Sequence, residues 1–361
     1  VRCATVTGLF GTAIEGGTRM TRAAVLSKPG HFEMQERPTP TPGRGEVLIR
    51  VARVGICGTD IHIFNGHYAT DNLPMIPGHE FTGTIEALGP DVTGLRLGDK
   101  AVVDTNVGCG TCYWCRRSEI LNCPDMRQMG ISMDGAFAEY IVVPARLVIP
   151  APAHMPFEVL ALTEPLACVV RAARKADVSF GQSVAVLGAG PIGHLHVQLL
   201  RTIGAAPIIV TDISPDRVAL ALRHGADVGV SDPADVKACV MQATEGRGAD
   251  IVIESVGLPA LYQQALHLIR KGGHVAAFGL TGAGEVLPVD ILTTILQENS
   301  IKGSVAGSGQ DMHDALNFLV HGRIDPAPFL GAEYPLKDIQ TAFDTFGDRP
   351  DDLKTQIVMS D

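Results

Sequence analysis

The sequence predicts an α/β chain in two parts: a doubly wound parallel sheet in its second half and a small antiparallel barrel in its first. Two patterns carry this. From about residue 170, solid apolar β runs alternate with helical stretches, as in a parallel sheet covered on both faces. Residues 20 to 165 instead hold short β-type runs punctuated by glycine and proline, as in a barrel. A length of 361 residues also exceeds what one hydrophobic core usually serves.

In chain order, residues 1–19 (VRCATVTGLFGTAIEGGTR) read as an extension ahead of the folded chain. They lack the basic start and solid apolar run of a secretory signal. After Met20, "TRAAVLSKPG" gives a first strand and turn. "EVLIRVARVGI" (46–56), "GTIEALG" (83–89), "DKAVVD" (99–104) and "AEYIVVP" (138–144) continue the barrel, expected to span 20–168. The parallel sheet, expected over 169–308, has strands at "SVAVLGAG", "PIIVTD", "ADIVIESVG", "HVAAFG" and "SIKGSVAG". Helices are read at "PIGHLHVQLLRTIG", "SPDRVALALRHG" and "LPALYQQALHLIRKGG". The tail, 309–361, holds helices at "MHDALNFLVHG" and "LKDIQTAFDTF" and a last strand at "KTQIVM", a return to the first domain.

A hydrophobic fraction of 46% with 19% charged residues is a packable balance. The net charge of −10 disfavours binding to a phosphate backbone. No apolar run reaches the ~18 residues that a membrane helix needs. The expected partner is therefore a small molecule rather than nucleic acid or membrane, and the expected home is the cytoplasm. In that reducing compartment clustered cysteines favour metal over disulfide.

"VAVLGAGPIG" supplies G-x-G-x-x-G at Gly188, Gly190 and Gly193, with Ile192 inside it, between a strand and a helix. The glycines allow a tight turn, close approach of a pyrophosphate and close helix packing. The helix N-terminus then offers free N–H groups to phosphate. Asp212 ends the next strand, where a carboxylate accepts from both adenosine ribose hydroxyls. That carboxylate repels a 2′-phosphate, so NAD is preferred to NADP. Arg217 either flanks the adenine or, by reaching a 2′-phosphate, lets NADP in.

"CGTCYWCRRSEILNC" places Cys109, Cys112, Cys115 and Cys123 in fifteen positions. Four thiolates close a tetrahedron around zinc and leave no open position, which makes the site structural. A second constellation is mixed: Cys57 in "GICGTDIHIFNG", His79 and Glu80 in "PGHEFTG", and Glu164 in "LTEPLACVV". Such a set is typical of zinc with a position left for water or substrate. Both glutamates at once would overfill the charge, so they alternate or one lies behind the metal.

These residues carry a resemblance. "GHEFTGTIEALGPDV" fits the G-H-E-x2-G-x5-G-x2-V zinc signature of the zinc-containing medium-chain alcohol dehydrogenases. The four-cysteine lobe and the dinucleotide segment follow in that family's order, and the likeness runs from Met20 to the end. It implies a GroES-like catalytic domain closed by the C-terminal tail, with a Rossmann coenzyme domain between, in a homodimer or homotetramer. "CGTDIHIFNG" and "TEPLA" resemble the sorbitol (polyol) and threonine dehydrogenase branch most closely. The branch implies Cys57, His79 and Glu80 as zinc ligands, with Glu164 at the metal or its water. Asp60 would orient His79, and Thr59 with His62 would remove the proton. "IKGSVAGSGQDM" lacks both the arginine–aromatic pair of sorbitol dehydrogenases and the G-R-E-like turn of threonine dehydrogenases.

The expectation is an NAD-dependent oxidation of a secondary alcohol at one catalytic zinc, with a second zinc structural. A sugar alcohol or sugar leads, because Glu80, Glu164 and His62 suit a hydroxyl-rich substrate, and L-threonine is second. A quinone-type reductase usually lacks the His–Glu pair and the lobe. A non-catalytic NAD- or zinc-binding protein is the remaining rival.

Overall fold

The computed structural model describes residues 19–347 and 352–359. The expected extension at residues 1–19 lies outside them except for Arg19. Strand Glu46–Gly55 is the hub of the first half. Its alternating apolar residues Val47, Ile49 and Val51 are buried, and both its edges are paired. It lies antiparallel to Glu80–Leu88, Tyr140–Pro144 and the late strand Gln356–Val358. Lys100–Val103 and Val148–Ala151 extend the sheet beyond Glu80–Leu88. Strand Gln356–Val358 is thus tied into the first sheet, which sets Lys354 beside Glu80.

Six strands form the second sheet: Val184–Leu187, Ile208–Thr211, Val228–Val230, Ala249–Glu254, Ile269–Ala277 and Ser300–Gly303. Their spatial order is 3-2-1-4-5-6 and every neighbouring pair is parallel. That is the Rossmann order, with its ligand crevice at the carboxyl ends of the first and fourth strands. Val184–Leu187 is buried throughout, as a central strand covered on both faces must be.

Two details depart from the sequence reading. The helix read across "LPALYQQALHLIRKGG" stops at Leu266. Ile269 pairs with Ala249 instead, and Ile269–Ala277 runs as strand. Strand Val228–Val230 and helix Val236–Ala243 were not expected, since three residues with a central glycine give no apolar run.

Helix Thr163–Lys175 joins the two halves. Its Leu166, Val169 and Val170 share a core with Met312, Leu316 and Leu319 of helix Gln310–Val320. Glu164 sits in its first turn. Among the described residues no helix is long and apolar enough to cross a membrane.

Candidate metal centre and nucleotide cleft

Cys57 stands at the start of helix Gly58–Phe64, and His79 and Glu80 stand where strand Glu80–Leu88 begins. One potential ligand atom from each of Cys57, His79 and Glu80 lies within 4.8 Å of the others. Asp60 holds this geometry from behind. One of its carboxylate oxygens accepts from Cys57 N at 2.9 Å and the other lies 3.4 Å from His79 Nδ1. Burial works against the charged imidazole, but Asp60 and Cys57 together hold His79 well above the usual histidine range. Thiolate, imidazole and carboxylate closing on one buried point form a donor set that fits a divalent zinc ion.

Glu164 lies outside that trio yet lines the same cavity. Burial pushes its carboxyl up to about 7, with Glu80 adding to the rise and His79 opposing it. One turn on, the Cys168 thiol donates to Glu164 Oε1 at 3.3 Å. Thr59 also lines the cavity, whereas His62, three residues on, is exposed on the outside of the same short helix. Lys354 is buried beside Glu80 and paired with its Oε2.

The four-cysteine lobe brings Cys109, Cys112, Cys115 and Cys123 together, their sulfurs all within 4.8 Å and none joined in a disulfide. Backbone amides point at the sulfurs: Cys112 N donates to Cys109 Sγ and Cys115 N to Cys112 Sγ, both at 3.4 Å. Such amides bring Cys109 down to about 6, while desolvation and the neighbouring thiols push Cys115 up to about 12. Four sulfurs this close ionise together only around a cation, which suits zinc.

The glycine-rich turn is shaped as its sequence suggests. Gly188 has φ +99°, and a Cβ on Gly193 would fall 1.8 Å from Gly188 O. A Cβ on Gly190 would meet nothing within 4 Å, so that side is open for a ligand. Gly190 caps helix Pro191–Ile203, whose N–H groups face the opening. Gly188, Gly190, Asp212 and Arg217 line one cleft with Ile213, Val256 and Leu258. Asp212 accepts from Ala189 N at 2.8 Å and Ser214 N at 2.9 Å, which fixes its carboxylate at the cleft edge. Ile192 lines the metal cavity rather than this cleft, beside Phe278, Leu280 and Val305. One helix therefore serves both spaces.

Sequence reasoning missed several residues. Lys354 falls within the last strand read from the sequence, and Cys168 carries no role there. Glu254 accepts from Gly257 N at 2.9 Å and Val256 N at 3.1 Å and so shapes the turn beside the nucleotide cleft. Gln128 and Thr105 line the cavity from a stretch with no motif.

A two-domain oxidoreductase architecture with a mixed zinc donor set and a dinucleotide cleft defines the class, and comparison with known proteins agrees. Residues 43–153 match the alcohol dehydrogenase GroES-like domain and residues 191–321 the zinc-binding dehydrogenase family. A sorbitol dehydrogenase of Halalkalibacterium halodurans is 35% identical over 318 residues, 87% of this chain and 92% of that one. An L-threonine 3-dehydrogenase of Pyrococcus horikoshii is 39% identical over 263 residues, 72% of this chain and 75% of that one. Among solved structures, a protein of Sinorhizobium meliloti 1021 described as a zinc-binding dehydrogenase and bound to NADP superimposes with TM-score 0.88. It is 28% identical and covers 94% of this chain and 99% of its own. The chain belongs to the zinc-containing medium-chain alcohol dehydrogenase family, and so is an NAD(P)-linked enzyme acting on CH–OH groups.

Proposed function

We propose that the protein oxidises a secondary alcohol of a neutral polyol or sugar with NAD. The observation that carries the substrate class is the cavity lining. Its described residues include Thr59, Tyr68, Thr105, Gln128 and Ser304 but no lysine or arginine. A polyol finds hydrogen-bonding partners there, whereas the carboxylate of L-threonine finds no counter-charge on the wall. L-Threonine is the second reading, favoured by the likeness to the Pyrococcus enzyme.

Cys57, His79 and Glu80 would hold a zinc ion, which would act as a Lewis acid on an alcohol hydroxyl, and NAD in the glycine-lined cleft would be the hydride acceptor. Asp60 keeps His79 in the tautomer that leaves its other nitrogen for metal. Glu164 stands on the wall as the alternative carboxylate. Thr59, inside the cavity, would accept the hydroxyl proton while giving up its own, and His62, at the surface, would take up that proton and release it to solvent. Ile192, Phe278, Leu280 and Val305 exclude water from the space between the two clefts. Asp212 accepts from the adenosine ribose and favours NAD over NADP, while the lobe carries a second, structural zinc.

We also read the chain as a homo-oligomer. Ile291, Leu292, Ile295 and Leu296 of helix Ile291–Gln297 are each about two-thirds exposed. They lie next in the chain to Ser300–Gly303, an edge strand of the Rossmann sheet. An apolar patch beside unpaired strand groups suits a second copy. The free thiols of the described cysteines suit a reducing cytoplasm.

The test is NADH formation by the purified protein with NAD and a panel of sugar alcohols, aldoses, L-threonine and simple secondary alcohols. Turnover of polyols or sugars supports the proposal. Turnover of L-threonine alone moves the protein to the second reading, and silence across the panel withdraws both.

A further inference from the structure

A chain of hydrogen-bonded side chains stands behind Gln128, one of the residues lining the metal cavity. Asp104 is buried and its carboxylate accepts from Asn106 N at 3.0 Å and from Gly309 N at 2.7 Å, which fixes its orientation. Asn106, also buried, faces Asp104 Oδ1 at 2.9 Å and Gly307 O at 3.0 Å with one end of its amide. Both partners are acceptors, so that end must be the NH2. The other end of Asn106 is then its carbonyl, and it accepts from Gln128 Nε2 at 2.9 Å. Gln128 is left with Oε1 as a fixed acceptor, and Gln128 lines the cavity. Ser304 lines the same cavity, and its buried Oγ has no hydrogen-bond partner among the described residues. The Asp104–Asn106 link holds residues 307–309, the loop that leads away from Ser304.

We propose that Gln128 and Ser304 are specificity residues that read a hydroxyl adjacent to the carbon being oxidised, and that Asn106 and Asp104 are positioning residues that aim Gln128. The inference rests on the dehydrogenase reading of the cavity and narrows its substrate to vicinal diols and longer polyols. An acceptor held by a satisfied network and an orphan hydroxyl both lose a partner when that second hydroxyl is missing. A site built this way rejects the deoxy analogue, because buried polar groups are left unpaired.

The probes are 2,3-butanediol, as its mixture of stereoisomers, and 2-butanol, which lacks one hydroxyl. For the wild type, kcat/KM is expected to favour the diol by roughly tenfold or more. Gln128→Leu and Gln128→Met remove the acceptor, and Ser304→Ala removes a single oxygen. Each is expected to lower the diol preference several-fold. Thermal unfolding and quenching of protein fluorescence by NADH show which variants are folded, and any folded one of the three gives the reading. Asn106→Ala is expected to lower the same ratio, an effect that a merely structural role would not produce. A wild type without diol preference, or folded variants that keep it, overturns the inference and leaves the dehydrogenase reading standing. A wild type silent on these probes and on the whole alcohol panel overturns the polyol reading of the cavity and this inference with it.

Discussion

The Lys354 ammonium and the Glu80 carboxylate meet in the protein interior, 6% and 1% exposed, where the segment leading into strand Gln356–Val358 reaches strand Glu80–Leu88. Burial would lower the Lys354 pKa, yet Glu80 and Cys57 beside it raise it above the usual lysine value. The pair closes the catalytic domain electrostatically as strand Gln356–Val358 closes it by backbone pairing. A Cβ on Gly55 would fall 2.3 Å from Glu80 Oε2 and 2.8 Å from Lys354 Cε, so the pair needs a glycine beneath it.

Removing one member of a buried ion pair leaves a charge without compensation, at a cost of about 3–5 kcal/mol. Lys354→Met in the zinc-free protein is expected to lose about that much in urea unfolding. Gly55→Ala is expected to destabilise in the same direction by displacing both side chains. A Lys354→Met midpoint equal to wild type would show that the pair contributes nothing.

Asp212, fixed at the edge of the nucleotide cleft, is proposed above to accept from the adenosine ribose. Asp212→Ala is expected to lower kcat/KM for NAD about tenfold or more and to shrink the preference over NADP by a larger factor, because a repulsive carboxylate is lost as well. The Sinorhizobium relative bound to NADP makes Arg217→Ala the informative companion. If Arg217 flanks the adenine, that change weakens both coenzymes alike, and selective loss of NADP would assign it to the 2′-phosphate.

Two histidines on helix Pro191–Ile203 set an acid limit on stability. Burial pushes His196 down to about 3. Burial, followed by the neighbouring His224 and Arg223, pushes His194 down to about 4. Both folded-state values lie below the unfolded value of ~6.5. The unfolded chain therefore binds more protons below that pH, and stability is full above pH ~6.5 and falls as pH drops toward 3 to 4. His196 alone accounts for about 2 kcal/mol between pH 7 and pH 5. The urea midpoint of His196→Leu should be correspondingly less sensitive over that range, and an unchanged slope would remove His196 from the account.

The apolar face of helix Ile291–Gln297 is expected to be covered by a second copy. Sedimentation velocity should show an oligomer for the wild type and a smaller species for the pair Leu292→Asp and Ile295→Asp. A wild-type monomer would contradict this.

Much of the architecture is legible in the sequence because it rests on short-range rules. The glycine turn at 188–193, the solid strand "VAVL" and the cysteine spacing each fold by local steric and ligand constraints. The mixed metal site is legible only as scattered ligand types, since Cys57 comes together with the His79–Glu80 pair through pairings that residue spacing does not encode. Lys354 and Gln128 are the least legible. Their roles come from contacts across the fold, Lys354 through a strand added to the first sheet and Gln128 through amides that reach residues 307–309. Ile269 shows the opposite failure, where a local helical pattern yields to pairing with Ala249.

The most direct test of a catalytic zinc at Cys57, His79 and Glu80 is to measure zinc content and polyol-dependent NADH formation on the same samples of wild type and Cys57→Ser. Two zinc ions per wild-type chain and one in the variant, with turnover reduced by about a thousandfold or more, is the predicted result. A variant that has lost a zinc ion and still turns over at the wild-type rate would contradict it.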